Sequence, residues 1–434
     1  MTNSRWLSHP RLQRELPRSL TLIACLGSLA GAVACDTNLL EQDAPSRVSA
    51  DILDNPTNAT LLVNGAISDF ECALAAYIVA GGLVGDELLD AQLSSAGFDY
   101  DRRTMAATGG SYATNQCEST QAVGLYTPIS VARFQADDAT RRLEAWTDAQ
   151  VANRTTLIAT AAAYAGYSLV LLGEGMCSAA IDLGPELTPA QILALAEARF
   201  TRALDAATQG GNPAMRDLAL VGRARARLGL GKKADARTDA VLIADGFVRN
   251  ATYSAVVARR ENRVFTQLYR DNYASVDVAF RDLEFGGVAD PRVAVTNSGT
   301  RGQDGSTPVW RAAKYPAIGT PIAIGRWAEA QLIIAEVDRT TNLQSAVSII
   351  NVLHTRAGLP AFSSNDPNQV LYQIIDERRR ELFLEGHRLG DIIRFHLPLV
   401  PVPGTPFPKA GGAYGSQLCF PLPDIERLNN PNLH

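Results

Sequence analysis

Asp376-Glu377-Arg378-Arg379-Arg380-Glu381-Leu382-Phe383-Leu384-Glu385-Gly386-His387-Arg388-Leu389-Gly390-Asp391 is the stretch that decides how this 434-residue chain is read. Leu371, Ile374, Ile375, Leu382 and Phe383 keep helical spacing through it and predict one buried face. Asp366-Pro367 supplies the start, an N-cap acid followed by proline at the first helical position, and Gly386 supplies the stop. Between them Asp376 can reach Arg379 and Arg380, Glu377 can reach Arg380, and Arg378 can reach Glu381. Each such pair contributes about 0.2–0.5 kcal/mol. Two readings of these charges compete. In one, Glu377, Glu381 or Glu385 is the acid/base partner of His387, because neighbouring titratable groups can separate their pKa values. In the other the stretch is a charge-laced structural helix, and the arginine within a turn of every acid favours that reading.

Working outward, helical periodicity dominates. Asn58 to Leu93 reads as two apolar helices split near Ser68-Asp69 or at Gly81-Gly82, and 94–116 as a long surface loop holding Tyr100 and Tyr112. Tyr126 to Trp146 carries Val131, Phe134, Ala139 and Leu143 on one stripe, and Thr155 to Leu172 is a second helix, broken at Gly173-Glu174-Gly175. In Ala190 to Ala207, Ala196 followed by Phe200 matches the second helix of a tetratricopeptide repeat. Met215 to Leu228 and Lys232 to Asp245 make another pair, in which Ala219, Gly222, Ala226, Ala234 and Ala240 allow close approach. Residues 246–322 lose the period and read as a loop-rich insertion, with short strands near 307–316 and with Trp310 and Tyr315. Ile324 to Val337 and Leu343 to Ala357 resume the helices, stopped by Gly358-Leu359-Pro360. The fold class expected is mostly α: tetratricopeptide-like hairpins forming a scaffold at about 119–245 and 324–390, interrupted by an irregular insertion and followed by a tail, 391–434.

The N-terminus sets the compartment. Arg5, Arg11, Arg14 and Arg18 precede an apolar run from Leu20 to Ala34, too short to span a bilayer, as in a signal peptide. Small residues lead to Cys35, which predicts a lipoprotein signal over 1–34, acylation of Cys35 and a polar tether over 35–57. Outside the cytosol, Cys72, Cys117, Cys177 and Cys419 read as two disulfides with three possible connectivities. The pairing expected is Cys72–Cys117 with Cys177–Cys419, stapling two early segments and tying the tail to an early helix. A net charge of −5 with only four lysines leaves no basic stripe for nucleic acid.

ERRRELFLEGHRLGDIIRF resembles the C-terminal signature of the SusD/RagB family. IGRWAEAQLIIAEV (Ile324 to Val337) is similar to a second family signature, and the tail Leu418 to Asn432, with Phe420-Pro421-Leu422-Pro423 and Asn430-Pro431-Asn432, is similar to a third. The chain departs from the pattern in being shorter than most relatives and in placing Leu389-Gly390 where an aromatic pair is common. The resemblance makes 58–434 a single SusD-like domain and gives Glu377, Arg378, Arg379, Glu381, Glu385, Gly386, His387, Arg388 and Asp391 a structural role. It implies an outward-facing outer-membrane lipoprotein that captures a glycan or other oligomeric nutrient for a TonB-dependent, SusC-like transporter. Sugar recognition needs flat aromatic faces, so Trp310, Tyr315, Tyr100 and Tyr112 are the candidate ligand-binding residues, while Trp146 and Trp327 are assigned to the core. No catalytic residue, metal or cofactor is expected, since no HExxH or GxSxG pattern occurs. The alternatives are a helical-repeat interaction scaffold on the cell envelope and, further off, a secreted hydrolase.

Overall fold

A long apolar helix, α1 (Ala59–Val84), forms the spine of the protein. The computed structural model describes residues 53–433 except 109 and 410; the signal peptide, Cys35 and most of the tether lie outside the described residues. From Phe70 to Val84 every residue of α1 is buried, which is why its sequence shows no amphipathic stripe. The helix is not split. Asp69 is tolerated mid-helix by its ion pair with Arg259 (2.6 Å), and Gly82 lets Leu88 pack against the backbone.

Four further helices and a short fifth, α2 (Tyr126–Ala145), α3 (Arg154–Gly175), α4 (Pro189–Gln209), α5 (Pro213–Gly229) and α6 (Lys233–Ala240), pack each upon the next. Thr188 and Gln191 close α4 with a reciprocal capping box. Phe200 is the knob of this layer: a Cβ on Gly166 of α3 or Gly222 of α5 would lie 2.8 or 2.3 Å from its ring. Two expectations shift. The inward stripe of α2 is Ile129, Ala132, Ala136, Ala139 and Leu143, leaving Val131 and Phe134 exposed. And α3 runs through Gly173 to Gly175, because the bare Gly173 accommodates Leu193 of α4.

The insertion holds short antiparallel pairs. Strand β1 (Leu88–Asp90) pairs with β3 (Ala274–Val276), β2 (Val248–Ala251) with β6 (Ile322–Arg326), and β4 (Val295–Arg301) with β5 (Pro308–Ala312). Helix α7 therefore starts at Trp327, three residues later than its sequence pattern suggests, and runs to Thr341. It packs on α8 (Leu343–Ala357), which ends at Gly358 with φ 71°. Helix α9 (Pro367–Glu381) begins as expected, with Asp366 accepting from the Asn368 amide at 2.8 Å. It ends at Glu381 rather than Gly386. Leu382, Phe383 and Leu384 turn into the core, Leu384 adopts φ 53°, and Lys314 Nζ and the Tyr315 hydroxyl donate to the Phe383 and Leu384 carbonyls at 2.8 and 3.1 Å. The last helix of this group is α10 (Arg388–Phe395).

Both disulfides form as expected, Cys72–Cys117 and Cys177–Cys419. Beside the second, Phe420 exchanges backbone hydrogen bonds with Gly175 and Cys177, both at 2.9 Å, so the tail is stitched to the end of α3. The two bonds span 45 and 242 residues. In the chain-entropy account these closures stabilise by about 4 and about 5 kcal/mol. Serine replacement of the Cys177–Cys419 pair is therefore expected to lower the free energy of unfolding more than replacement of Cys72–Cys117, by about 1–2 kcal/mol in urea titrations.

Candidate functional site

The acids at every fourth position of the signature find their charged partners outside their own helix. Glu377 accepts from Arg292 Nη1 at 2.7 Å and shares a 2.7 Å hydrogen bond with His354 Nε2. Glu381 binds Arg326 at 2.6 Å and Arg292 at 3.0 Å. Glu385 binds Lys314 at 2.6 Å and Arg326 at 2.9 Å. Of the helical pairs expected, Asp376 does hold Arg379 (2.9 Å) and Arg380 (2.7 Å), but Arg378 turns to Asp391 at 2.8 Å and Arg380 also reaches Asp290. Arg388 grips Asp86 with two 2.8 Å bonds. Burial alone would raise the carboxyls of Glu377 and Glu381, but the cations outweigh it and hold both below the usual range. His387 is buried beside Arg225 (3.3 Å) and 4.0 Å from Glu329, away from all three acids, and desolvation with the neighbouring guanidiniums holds it well below its ordinary pKa. His387 is therefore not paired with Glu377, Glu381 or Glu385, which are held by cations instead.

The four aromatic candidates separate. Tyr100, Tyr112 and Tyr315 are 2, 1 and 3% exposed, and their hydroxyls donate to the carbonyls of Val123, Pro421 and Leu384. Tyr100 and Tyr112 pack on Phe420, so the segment read as a surface loop is instead two short helices, Phe98–Arg102 and Ser111–Thr114, facing the core. None of the three offers a ring to solvent. Trp310 differs: it is half-buried on β5, with the Arg281 guanidinium 4.7 Å from its ring centre and fixed to the Val276 carbonyl.

Other aromatic residues join it. Phe265 and Tyr269 stack at 5.3 Å, and Arg311 lies 5.1 Å over Tyr269. Their four-residue spacing was the available signal. Trp327 is half-buried rather than core, with Arg356 3.9 Å over its ring, and lines a 270 Å³ recess with Phe247, Arg292, Arg326 and Glu381. Arg292, Arg326 and Glu381 also line an adjoining 400 Å³ recess that reaches Lys314 and Glu385. An aromatic face beside fixed donors and acceptors is an arrangement suited to a polyhydroxylated ligand.

The helical hairpins and the recessed insertion together define a helical-repeat fold. Residues 312–424 match the SusD family model, and no curated protein sequence matches the chain. A SusD-like carbohydrate-binding protein from Bacteroides vulgatus is 18% identical with a TM-score of 0.63, covering 88% of this chain and 97% of its own. A SusD-like protein from Bacteroides fragilis is 13% identical with a TM-score of 0.67, over 89% and 98%. A laminarin-binding SusD-like protein is 15% identical with a TM-score of 0.63, over 87% and 98%. At these identities the structures share the fold. The chain thus carries the SusD family match in its C-terminal part and shares the SusD-like fold over most of its length.

The buried charges give stability a pH optimum. Burial pushes Glu87 up to about 8, and Glu329 and Asp101 up to about 7. The folded state then retains protons that the unfolded chain has lost, so stability falls as pH rises from about 5 to about 8. His354 adds to this: burial would lower its pKa, but the hydrogen bond to Glu377 raises it, and that contribution is lost as pH climbs through the folded value. Glu377, Glu381 and Asp391, all depressed, act oppositely and withdraw stability as pH falls below the carboxylate range. Melting temperature is expected to peak near about pH 5. Glu87→Gln should flatten the alkaline limb; a melting temperature that climbs from pH 5 to 8 contradicts the assignment.

Proposed function

We propose that this protein is a lipid-anchored receptor of the outer membrane that captures a glycan or other oligomeric nutrient and passes it to a TonB-dependent, SusC-like transporter. Relatives of the same fold described as carbohydrate-binding and laminarin-binding support the ligand class. The observation that carries the reading in this chain is the set of half-buried aromatic residues of the insertion and the start of α7, each ring backed by a guanidinium: Trp310 by Arg281, Tyr269 by Arg311, Trp327 by Arg356. Such rings are held in place before ligand arrives, so little conformational freedom is lost on binding. Cys35 is the proposed acylation site, and its chains hold the receptor at the membrane.

The interaction-scaffold alternative has one observation in its favour. Val131 and Phe134 of α2 stand exposed beside Ile425 and form a shallow apolar recess with it. Co-purification separates the readings: a large β-barrel partner supports the transporter, and soluble partners alone support the scaffold. For the ligand, a glycan array should yield a binder whose affinity falls at least about tenfold in Trp310→Ala, a loss of about 1.4 kcal/mol, with an unchanged melting temperature. Equal binding by parent and variant removes Trp310 from the site.

A further inference from the structure

Away from the insertion, a recess of about 690 Å³ opens between α3, α4, α5 and α10. It falls within the size range of small-ligand pockets. Its wall is aliphatic, built from Met176, Leu193, Leu228, Ile392, Leu397 and Leu418, and the Cys177–Cys419 disulfide fixes one edge. No tyrosine, phenylalanine or tryptophan lines it, so it lacks a stacking face for a sugar ring.

Its polar end is lined by arginines. Arg225, Arg378 and Arg394 face two carboxylates, Glu174 and Asp391, with His387 held uncharged between them. Arg225 is fully engaged, with two bonds to Glu174 (2.9 and 2.5 Å) and one to the Gly386 carbonyl (2.9 Å). Arg394 is divided between Glu336 and Asp391. Arg378 is not satisfied. It is 5% exposed, its Nε is spent on Asp391, and its Nη1 finds no hydrogen-bond partner among the described residues. A buried donor left without a partner is costly, and an incoming acceptor relieves that cost.

We propose that this recess is a second binding site, for a carboxylate carried on a short aliphatic chain. The aliphatic wall takes the chain and the guanidinium of Arg378 takes the carboxylate. With Glu336 counted, three guanidiniums already meet three carboxylates, so a monoanion adds one charge to the site and a phosphate dianion would add two beside Glu174 and Asp391. Two sources carry this chemistry: a free fatty acid, and the C-terminus of a peptide ending in aliphatic residues. The site is separate from the Trp310 surface and goes beyond the proposed nutrient capture.

Titration calorimetry on the mature full-length protein tests it with octanoate, octanol, and a peptide ending in Leu-Leu as free acid and as amide. Octanoate or the free-acid peptide is expected to bind at least tenfold more tightly than its uncharged counterpart. Octanoate alone assigns a fatty acid, and the peptide alone assigns a chain terminus. Arg378→Met should weaken binding at least tenfold. Because Arg378 also holds Asp391, Leu397→Trp at the half-exposed rim provides a folded control that closes the recess and should abolish binding. Trp310→Ala should leave octanoate affinity unchanged, which keeps this outcome distinct from that of the glycan array. Binding of neither acid, equal binding of octanoate and octanol, or undiminished binding by a folded Leu397→Trp variant overturns the proposal.

Discussion

Three carboxylates, two on the last turns of α9 and one in the turn beyond it, are sunk into the protein and have to be matched by cations or the fold cannot form. Removing a carboxylate from water costs several kcal/mol even after relaxation, and only close hydrogen-bonded partners offset it. Here the partners come from outside the helix: Arg292 and Lys314 from the insertion, Arg326 from the end of β6 and His354 from α8. The signature is therefore a clamp that locks an irregular segment onto the last helices. The insertion lacks a large sheet of its own, its described strands joining only in pairs, and this clamp supplies the rigidity that long regular elements would otherwise give.

What could be read from the sequence divides along the same line. Helices with local determinants were legible: Thr188 with Gln191 before α4, Asp366-Pro367 before α9, and Gly358 after α8 all act where their chemistry says they should. The disulfide pairing was legible because only three connectivities were open. Partners chosen across the fold were not. Glu377 prefers Arg292 and His354 to Arg380 three residues away, since a buried acid gains more from bonds made inside the protein than from a solvent-screened neighbour. α1 misled for a related reason: a helix enclosed on all sides can carry glycines that look like breaks, because packing rather than propensity holds it together.

The aromatic candidates show the same limit. Tyr100, Tyr112 and Tyr315 lie among glycines, serines and charges, and composition places them on loops. Each hydroxyl, however, meets a carbonyl in the interior, which lets a tyrosine replace a purely apolar residue at little cost. Trp310 and Trp327 are kept nearer the surface by arginines lying over their rings.

The scarcity of lysine has a practical corollary. Lys314 is bound to Glu385 and the Phe383 carbonyl, and Lys409 is enclosed by Asp90 and Asp304. Only the adjacent Lys232 and Lys233, at the turn between α5 and α6, stand exposed. Amine-directed reagents will therefore couple the folded protein to a bead or sensor chip mainly through that one corner. Coupling through these lysines leaves the aromatic insertion untouched by the chemistry.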